Sequence, residues 1–573
     1  MKRNIGNLIN REFDIVIIGA GIFGCCALWD AIRRDLSAVL VEKGDFSQAT
    51  SANHYKMVHG GIRYLQHLDF YRVRESSRER SALLRIAPHL VNPLPIVVPT
   101  YGHGTKGKEF LAAGLLLYDM VTYDRNKGIP DKERQIPPGK LLSKSEVLNM
   151  FPGIDQDNLT GGVLFHDAQM YNPPRLALSF LHSAVDEGAE VANYLEVNGF
   201  LQKDDKIFGI KAKDILTGDQ LEIRGKMVLN TAGPWANNLL EKGSCVHLSP
   251  KPIFSRDLGF VISRKFNVKY SFACQIKSDD ADAIIDRGGR HIFISPWRDY
   301  TLVGVWHKIY KDNPDRVSAS DEELQAYIDD VNNAYPIFNL SLNDITIVNT
   351  GLTLFGEENR QGERTLSFGH RSLLIDHEAV HKKKGLITLI GVRATTARGM
   401  AQKAIDLVLQ KMQKEFKKPD TEITPIYGGK IDYFEKFLND AIKDSEFKPG
   451  NDVMRSLVHN YGTEYKTVLK YVSSDISLGE RIGNTQTIKA EIIHAIKDEM
   501  AQKLSDVILR RTDIGTGANP GECAIKECAD LMANELSWDN ERKEKEIIEV
   551  NDVFTKHGSI KNYSNHIEAN EGI

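Results

Sequence analysis

The segment Gly19-Ala-Gly21-Ile-Phe-Gly24 constrains this chain more than any other. It follows a β-branched run at residues 14–18 and opens a helix-like stretch that continues to about residue 34. Residues 38–41 then read as a second strand. Strand, glycine turn, helix and strand in that order begin a parallel sheet of the α/β, Rossmann-like class. Gly19 makes the tight turn, Gly21 lets backbone approach a pyrophosphate, and Gly24 lets the helix pack close, with the anion at the helix N-terminus. Glu42 follows 18 residues after Gly24, where a carboxylate that accepts from ribose hydroxyls is expected. Three glycines alone describe a turn in any α/β protein. With strand, helix and acid in register, they describe a dinucleotide site that either FAD or NAD would satisfy.

At 573 residues the chain exceeds one small core, and two to four structural units are expected at roughly 100–200 residues each. Lys and Arg number 73 against 77 Asp and Glu, without a long basic block, which argues against nucleic acid as a partner. The longest uncharged apolar run, residues 110–118, is closed by Asp119 and falls far short of the ~20 residues of a spanning helix. The apolar run near the N-terminus leads straight into the glycine turn, so it reads as a first strand and not as a signal peptide. The six cysteines contain no Cys-x-x-Cys pair. That spacing points to a reducing cytoplasm, with neither a metal site nor a disulfide scaffold expected.

Further along, residues 95–152 loosen into proline-bearing loops around the apolar run, as in an excursion from the main sheet. Strand-like runs return at 226–230, 259–263, 291–295, 301–305 and 386–390, the last feeding a helix over 396–411. Residues 414–430 are polar and turn-rich and read as a linker. Beyond them the pattern is helical, at 433–443, 452–458, 464–472, 490–511 and 525–550. The 490–511 stretch carries an apolar face that is most simply core.

The residues behind Glu42 choose the cofactor. Thr50-Ser51-Ala-Asn-His-Tyr-Lys56-Met-Val-His59-Gly60-Gly61-Ile-Arg63-Tyr64-Leu65 gathers hydroxyls, cations and glycines that a nicotinamide enzyme does not need there. The pattern resembles the FAD-dependent glycerol-3-phosphate dehydrogenase family, within the D-amino-acid-oxidase-like flavoproteins. The likeness continues through Thr231-Ala232-Gly233-Pro234-Trp235, Gly289 to Trp297, and Thr395-Thr396-Ala-Arg398-Gly-Met400. It ends in Arg510-Arg511-Thr512 and Trp538, similar to the family's C-terminal helical domain. The resemblance implies a glutathione-reductase-like FAD domain with an inserted β-sheet substrate domain. The oxidoreductase part spans 1–420, with the FAD part near 1–95, 155–240 and 350–420 and the substrate part near 96–154 and 241–349. A helical domain follows over 430–573. The cofactor residues it implies are Gly19, Gly21, Gly24, Glu42, Thr50, Ser51, Lys56, Gly60, Gly61, Val197, Ala232, Gly233, Trp235, Thr395 and Thr396.

The implied reaction is oxidation of a secondary alcohol by hydride transfer to flavin N5, as in glycerol 3-phosphate to dihydroxyacetone phosphate, with His59, Arg63 and Arg393 catalytic. His59 is placed as base for the hydroxyl proton, against the plainer reading of a satisfied core histidine. Arg63 and Arg393 would neutralise alkoxide or hold an anionic group, Arg393 standing at a family lysine position. The departures concentrate on the substrate side. Where the family shows Gly-Thr-Thr-Asp, this chain has Gly304-Val305-Trp306-His307, and a family arginine becomes Thr353. A second family arginine aligns within Phe368-Gly369-His370, leaving Arg371 two places late. Threonine cannot replace a bidentate guanidinium–phosphate pair. Either Arg360, Arg364 or Arg371 swings in, or the substrate is another small anionic hydroxylated molecule, and Trp306, His307, Thr353 and Arg371 are the candidate pocket residues. The alternatives are an amino- or hydroxy-acid oxidase of the same superfamily, and a flavin-binding structural protein without catalysis. Partners implied are quinone or oxygen as electron acceptor and a homodimer. A peripheral contact with the inner membrane face is also implied, through Lys106, Lys108 and the 110–118 run, whose plainer reading is a buried helix.

Overall fold

The computed structural model describes residues 1–103, 107–244, 246–267, 269–275, 291–358, 364–366, 371–444, 447 and 449–555, with 364–366 and 555 described by backbone alone. Lys106, Cys245, Gly289, Arg360, Phe368, Gly369 and His370 lie outside the described residues. An eight-stranded sheet carries the glycine turn, with Glu12–Ile18 parallel to both Ala38–Val41 and Gln220–Asn230. Leu386–Ile390 extends it in parallel beyond Gln220–Asn230, and Leu373–Asp376 closes that edge antiparallel. The central strands are buried on both faces, which is why they read as continuous apolar runs without alternation. Helices Ile22–Arg33, Pro173–Asp186 and Ala397–Met412 cover one face through Trp29, Phe180 and Ile405. The hairpin Leu195–Lys203 with Lys206–Asp214 and the helix Ala236–Ser244 cover the other.

A second sheet of ten strands stands beside the first. Its long strands are Val91–Tyr101, Leu159–Met170, Lys251–Ile262, Tyr300–Tyr310 and Ile345–Glu358. It therefore draws on Leu159–Met170 and Ile345–Glu358, parts of which fall within the spans that the resemblance assigns to the FAD part. Helix Asp321–Ala334 packs on its outer face over Phe260 and Phe272. The inner face looks toward the glycine turn.

Two helical expectations divide. The 490–511 stretch is helix Lys489–Glu499, a left-handed residue at Met500, and a π-helical segment Val507–Arg511. Asp506 accepts from the amides of Gln502 and Lys503 at 2.8 and 3.0 Å, which starts the second segment anew. The 525–550 stretch is Glu522–Leu536 and Asn540–Thr555, separated by left-handed Ser537. There Asp539 accepts from the Arg542 amide at 2.7 Å, an N-cap written in the sequence as Ser-Trp-Asp. The expected linker at 414–430 is also pinned to the first domain. Arg33 donates to Asp420, the Thr421 hydroxyl to Asp30 at 3.2 Å, and the Tyr427 amide to Ser183 at 2.8 Å. Ile426 is buried among the helices of the first sheet. Polar composition there reflects docking and not freedom.

Within the helical domain, burial pushes the Glu491 carboxyl up to about 8. Its folded-state pKa exceeds the unfolded value, so the folded state holds an extra proton between about pH 4.5 and pH 8, and stability falls as pH rises through that window. Glu491→Gln, which fixes the neutral form, is expected to flatten urea-unfolding stability between pH 5 and pH 8. An unchanged slope would place the titration elsewhere.

Candidate active site

A cavity of about 770 Å³ runs between the two sheets from the glycine turn to the inner face of the larger sheet. At one end Gly19 takes φ +98°, and a Cβ there would lie 2.9 Å from the Thr231 carbonyl oxygen. A Cβ on Gly24 would lie 2.0 Å from the Gly19 carbonyl oxygen, so the helix can pack this close only without a side chain. Gly21 caps that helix, and beside it the Ser51 hydroxyl accepts from the Ile22 amide at 2.9 Å. Glu42 accepts from the Ala20 amide at 2.7 Å and the Gly44 amide at 2.9 Å, tying the second strand to the glycine turn.

Gly19, Gly21, Glu42, Thr50, Ser51, Gly61, Val197, Ala232, Gly233, Trp235 and Thr395 all line this one cavity. Four expected cofactor residues do not. Gly24 acts through packing, as described. Gly60 is buried where a Cβ would meet Arg80 and the Tyr118 hydroxyl at 2.1 Å, so it supports the loop from behind. Thr396 is buried in the turn Ala394–Thr396, its hydroxyl donating to the Arg393 carbonyl at 3.3 Å. Lys56 sits left-handed and buried, its Nζ 4.6 Å from the Trp297 ring and 3.3 Å from Asn349 Oδ1. Burial, with Arg298 nearby, lowers its pKa to about 7.

The same cavity is lined by His59, Arg63 and Arg393. The short strand Met57–Val58 pairs antiparallel with Leu159–Met170, matching Met57 to Gln169 and Val58 to Ala168. The next pair in that register is His59 and Asp167, and their Nδ1 and Oδ2 atoms lie 3.5 Å apart. Asp167 also accepts from the Gly60 amide at 2.6 Å and from Arg80 Nη1 at 2.8 Å. Burial opposes its ionisation, but His59, Arg80 and the Gly60 amide outweigh that and hold the carboxyl below its ordinary value. A carboxylate facing Nδ1 favours the proton there and leaves Nε2 free to accept. The His59 amide donates to Thr395 Oγ1 at 3.0 Å, which joins this loop to the turn that starts helix Ala397–Met412.

Arg393 lies 4.7 Å above the Tyr64 ring, and burial lowers its pKa. Its Nη2 is buried with no hydrogen-bond partner among the described residues, a donor at the edge of the cavity. An unmet cationic donor here, in the same cavity as the glycine cradle, fits a large anionic cofactor and an anionic substrate.

The substrate side corrects two expectations. Val305 and His307 line the cavity, but Trp306 points to the opposite face of its strand, as alternation requires. There it stacks on Tyr327 and donates to Asp330 at 3.1 Å. Arg371 is on the surface and not in the cavity, 3.5 Å from Asp69, the carboxylate that caps helix Phe70–Ile86. Arg364 belongs to the edge strand Arg364–Leu366. Thr353 does line the cavity, two strands from His307. His307 Nδ1 is 2.7 Å from Asp257 Oδ1, its partner in strand register. Sequence reasoning missed Asp167, Arg80 and Asp257. Each is brought in by pairing between distant segments, and no local motif marks them.

Comparison with known proteins agrees with this geometry. A family model described as FAD dependent oxidoreductase matches residues 14–407, and one described as the C-terminal domain of alpha-glycerophosphate oxidase matches residues 419–543. The chain is 29% identical over 576 residues to a glycerol-3-phosphate dehydrogenase of Synechocystis sp., covering 98% of this chain and 100% of the relative. It is 28% identical over 550 residues to an aerobic glycerol-3-phosphate dehydrogenase of Staphylococcus haemolyticus, covering 93% and 94%. The glycerol-3-phosphate dehydrogenase from Bacillus halodurans complexed with FAD shares the fold, with a TM-score of 0.76, 23% identity and 97% of each chain covered.

Proposed function

The chain belongs to the FAD dependent oxidoreductase family, and from that premise we propose that it oxidises the secondary hydroxyl of glycerol 3-phosphate or a related anionic polyol. FAD, when bound, supplies the hydride acceptor. One observation carries the reading: His59, backed by Asp167 and Arg80, shares a cavity with Arg63 and Arg393. His59 Nε2 takes the hydroxyl proton, while Asp167 holds the ring and balances the charge it gains. Arg63 and Arg393 hold the anionic group and stabilise negative charge on the substrate oxygen. Thr395, at the start of helix Ala397–Met412, aligns the His59 loop with the N-terminal end of that helix. Anaerobic mixing with glycerol 3-phosphate should bleach bound FAD, and absence of bleaching with any polyol phosphate would defeat the reading. Hydrogen peroxide formed in step with substrate would instead favour the oxidase alternative.

Arg63→Ala is expected to keep FAD and lower kcat/KM by roughly ten- to a hundredfold, the worth of a charged hydrogen bond of about 1.5–3 kcal/mol. Loss of FAD instead would make Arg63 a cofactor residue. Thr353 stands on the cavity wall where the resemblance implies a guanidinium, and in this reading Arg63 with Arg393 holds the anion in its place.

Quinone as acceptor and a peripheral membrane contact belong to the same reading. No helix among the described residues is long and apolar enough to cross a membrane. Helix Lys108–Val121 buries Leu115 and Tyr118 but leaves Leu116 and Met120 65% exposed, and the nearby Tyr123 80% exposed. Such side chains suit the boundary of headgroups and acyl chains. Co-sedimentation with lipid vesicles is expected, and it should be lost in Leu116→Glu/Met120→Glu. Equal sedimentation of both proteins would remove the helix from the contact.

A further inference from the structure

The segment from Glu42 to the strand Met57–Val58 lines much of the cavity, Glu42, Gln48, Thr50 and Ser51 among its contacts, yet contains no helix or strand of its own. Such a segment has few backbone ladder bonds, so something else must fix its shape. Its centre is Asp45, fully buried, and the groups that hold Asp45 come from the far end of the chain. Arg511 donates to both carboxylate oxygens, Nη2 to Oδ1 and Nη1 to Oδ2, each at 2.7 Å. Arg510 Nε donates to the same Oδ2. Both guanidiniums are buried, and Arg511 also lies over the Phe46 ring of the same loop.

The contact is reinforced from a second side. Asp506 accepts from Arg510 Nη2 at 2.7 Å and from the Tyr194 hydroxyl at 2.6 Å. The amide of Tyr194 in turn donates to the Gly44 carbonyl at 2.9 Å, and Asn193 bridges Asp45 Oδ1 to the Met500 carbonyl. From Asp45 the path to the cavity is one residue long: its amide donates to Gln48 Oε1 at 2.9 Å, and the amide of Gly44 to Glu42 Oε1 at 2.9 Å. The bidentate fork fixes direction as well as distance, which a point charge would not.

We infer that Arg510 and Arg511 of the C-terminal helical domain are positioning residues for the cofactor loop, so that this domain sets how tightly the FAD dinucleotide is held. Neither arginine lines the cavity, and both act through Asp45. The inference uses the family's FAD and does not need the substrate reading above, so either can fail without the other.

The test measures FAD dissociation from the full chain by the rise in flavin fluorescence on release, alongside the melting temperature of the apoprotein. Three variants are compared with wild type. Asp45→Asn keeps shape and removes the charge. Arg511→Lys keeps the charge and removes the fork. His494→Gln perturbs the same domain interface at Glu499, and His494 meets Asp498, Glu499, Tyr461 and Tyr471, none of them in the loop. The expected result is an FAD dissociation constant raised roughly tenfold or more in Asp45→Asn and Arg511→Lys. His494→Gln should stay within about twofold even where its melting temperature falls as far. If Asp45→Asn fails to fold, Arg511→Lys against His494→Gln decides alone. Affinity unchanged in the loop variants, or lowered equally in all three, would overturn the inference and leave the arginines as interface glue.

Discussion

Replacing His59 with asparagine is expected to slow substrate oxidation by about 10²–10⁴-fold while FAD stays bound. That is a barrier increase of about 3–5 kcal/mol. Asparagine preserves a polar side chain of similar reach but cannot take a proton. The surroundings of the imidazole suit a base: it faces the cavity, Asp167 sits against its Nδ1, and it shares the cavity with Arg63 and Arg393. Asp167 is itself buried and spoken for by Arg80 and the Gly60 amide, so it cannot turn toward substrate in place of the histidine. Asp167→Asn should therefore lower the rate less than His59→Asn, because the ring keeps its reach to the cavity but loses the carboxylate that holds its Nδ1 side in place. The measurement is single-turnover loss of flavin absorbance under anaerobic conditions with glycerol 3-phosphate. A rate in His59→Asn within threefold of wild type would transfer the base to another residue, with His307 beside Asp257 the next to examine.

What could be read from residues alone follows the range of the interactions involved. The glycine turn was legible because Gly19, Gly21, Gly24 and Glu42 act within one βαβ unit, where spacing and geometry are the same information. The family likeness extended this to Thr50, Ser51 and His59. The His59–Asp167 pair was not legible, since it depends on the register between Met57–Val58 and Leu159–Met170. Trp306 and His307 are neighbours in sequence and opposites in space, and only knowledge of which sheet face meets the cavity separates them. Arg371 illustrates the reverse case: a cation near the right place in sequence is taken by Asp69 at the surface. Lys56 looked like a flavin contact because it belongs to the motif, yet its left-handed backbone turns it inward against Trp297. The helix at 490–511 was misread for a related reason. Its apolar face is continuous through Met500, and the interruption serves a tertiary demand, since Glu499 and Arg510 each answer a partner in the first domain.

That demand yields the second large effect. Arg175→Leu is expected to destabilise the chain by about 3–5 kcal/mol, read as a lowered urea midpoint at constant slope. Arg175, in helix Pro173–Asp186, donates from Nη1 to both oxygens of Glu499 at 2.6 and 2.7 Å, and its Nε donates to the Asn460 carbonyl at 3.1 Å. Its guanidinium lies 4.3 Å from the Tyr461 ring. The two side chains are 1% and 0% exposed, so no water can replace either partner. Burial opposes ionisation of Glu499, and Arg175 foremost outweighs it, holding the carboxyl well below the usual range. Removing the arginine strands that charge among His182 and His494, 3.3 and 3.5 Å away. His494 would be lowered by burial, but Asp498 and Glu499 raise its pKa, so in acid it offers one compensating proton. As pH rises through the histidine range that proton leaves, and the penalty of Arg175→Leu should grow from pH 6 to pH 8. Arg175→Leu/Glu499→Leu should recover most of the loss, because two apolar side chains avoid the desolvation that the ion pair only offsets. If the double variant is as unstable as the single one, the site depends on the hydrogen bonds of Arg175 to Asn460 and its contact with Tyr461, and charge pairing is not what joins the helical domain to the cofactor domain.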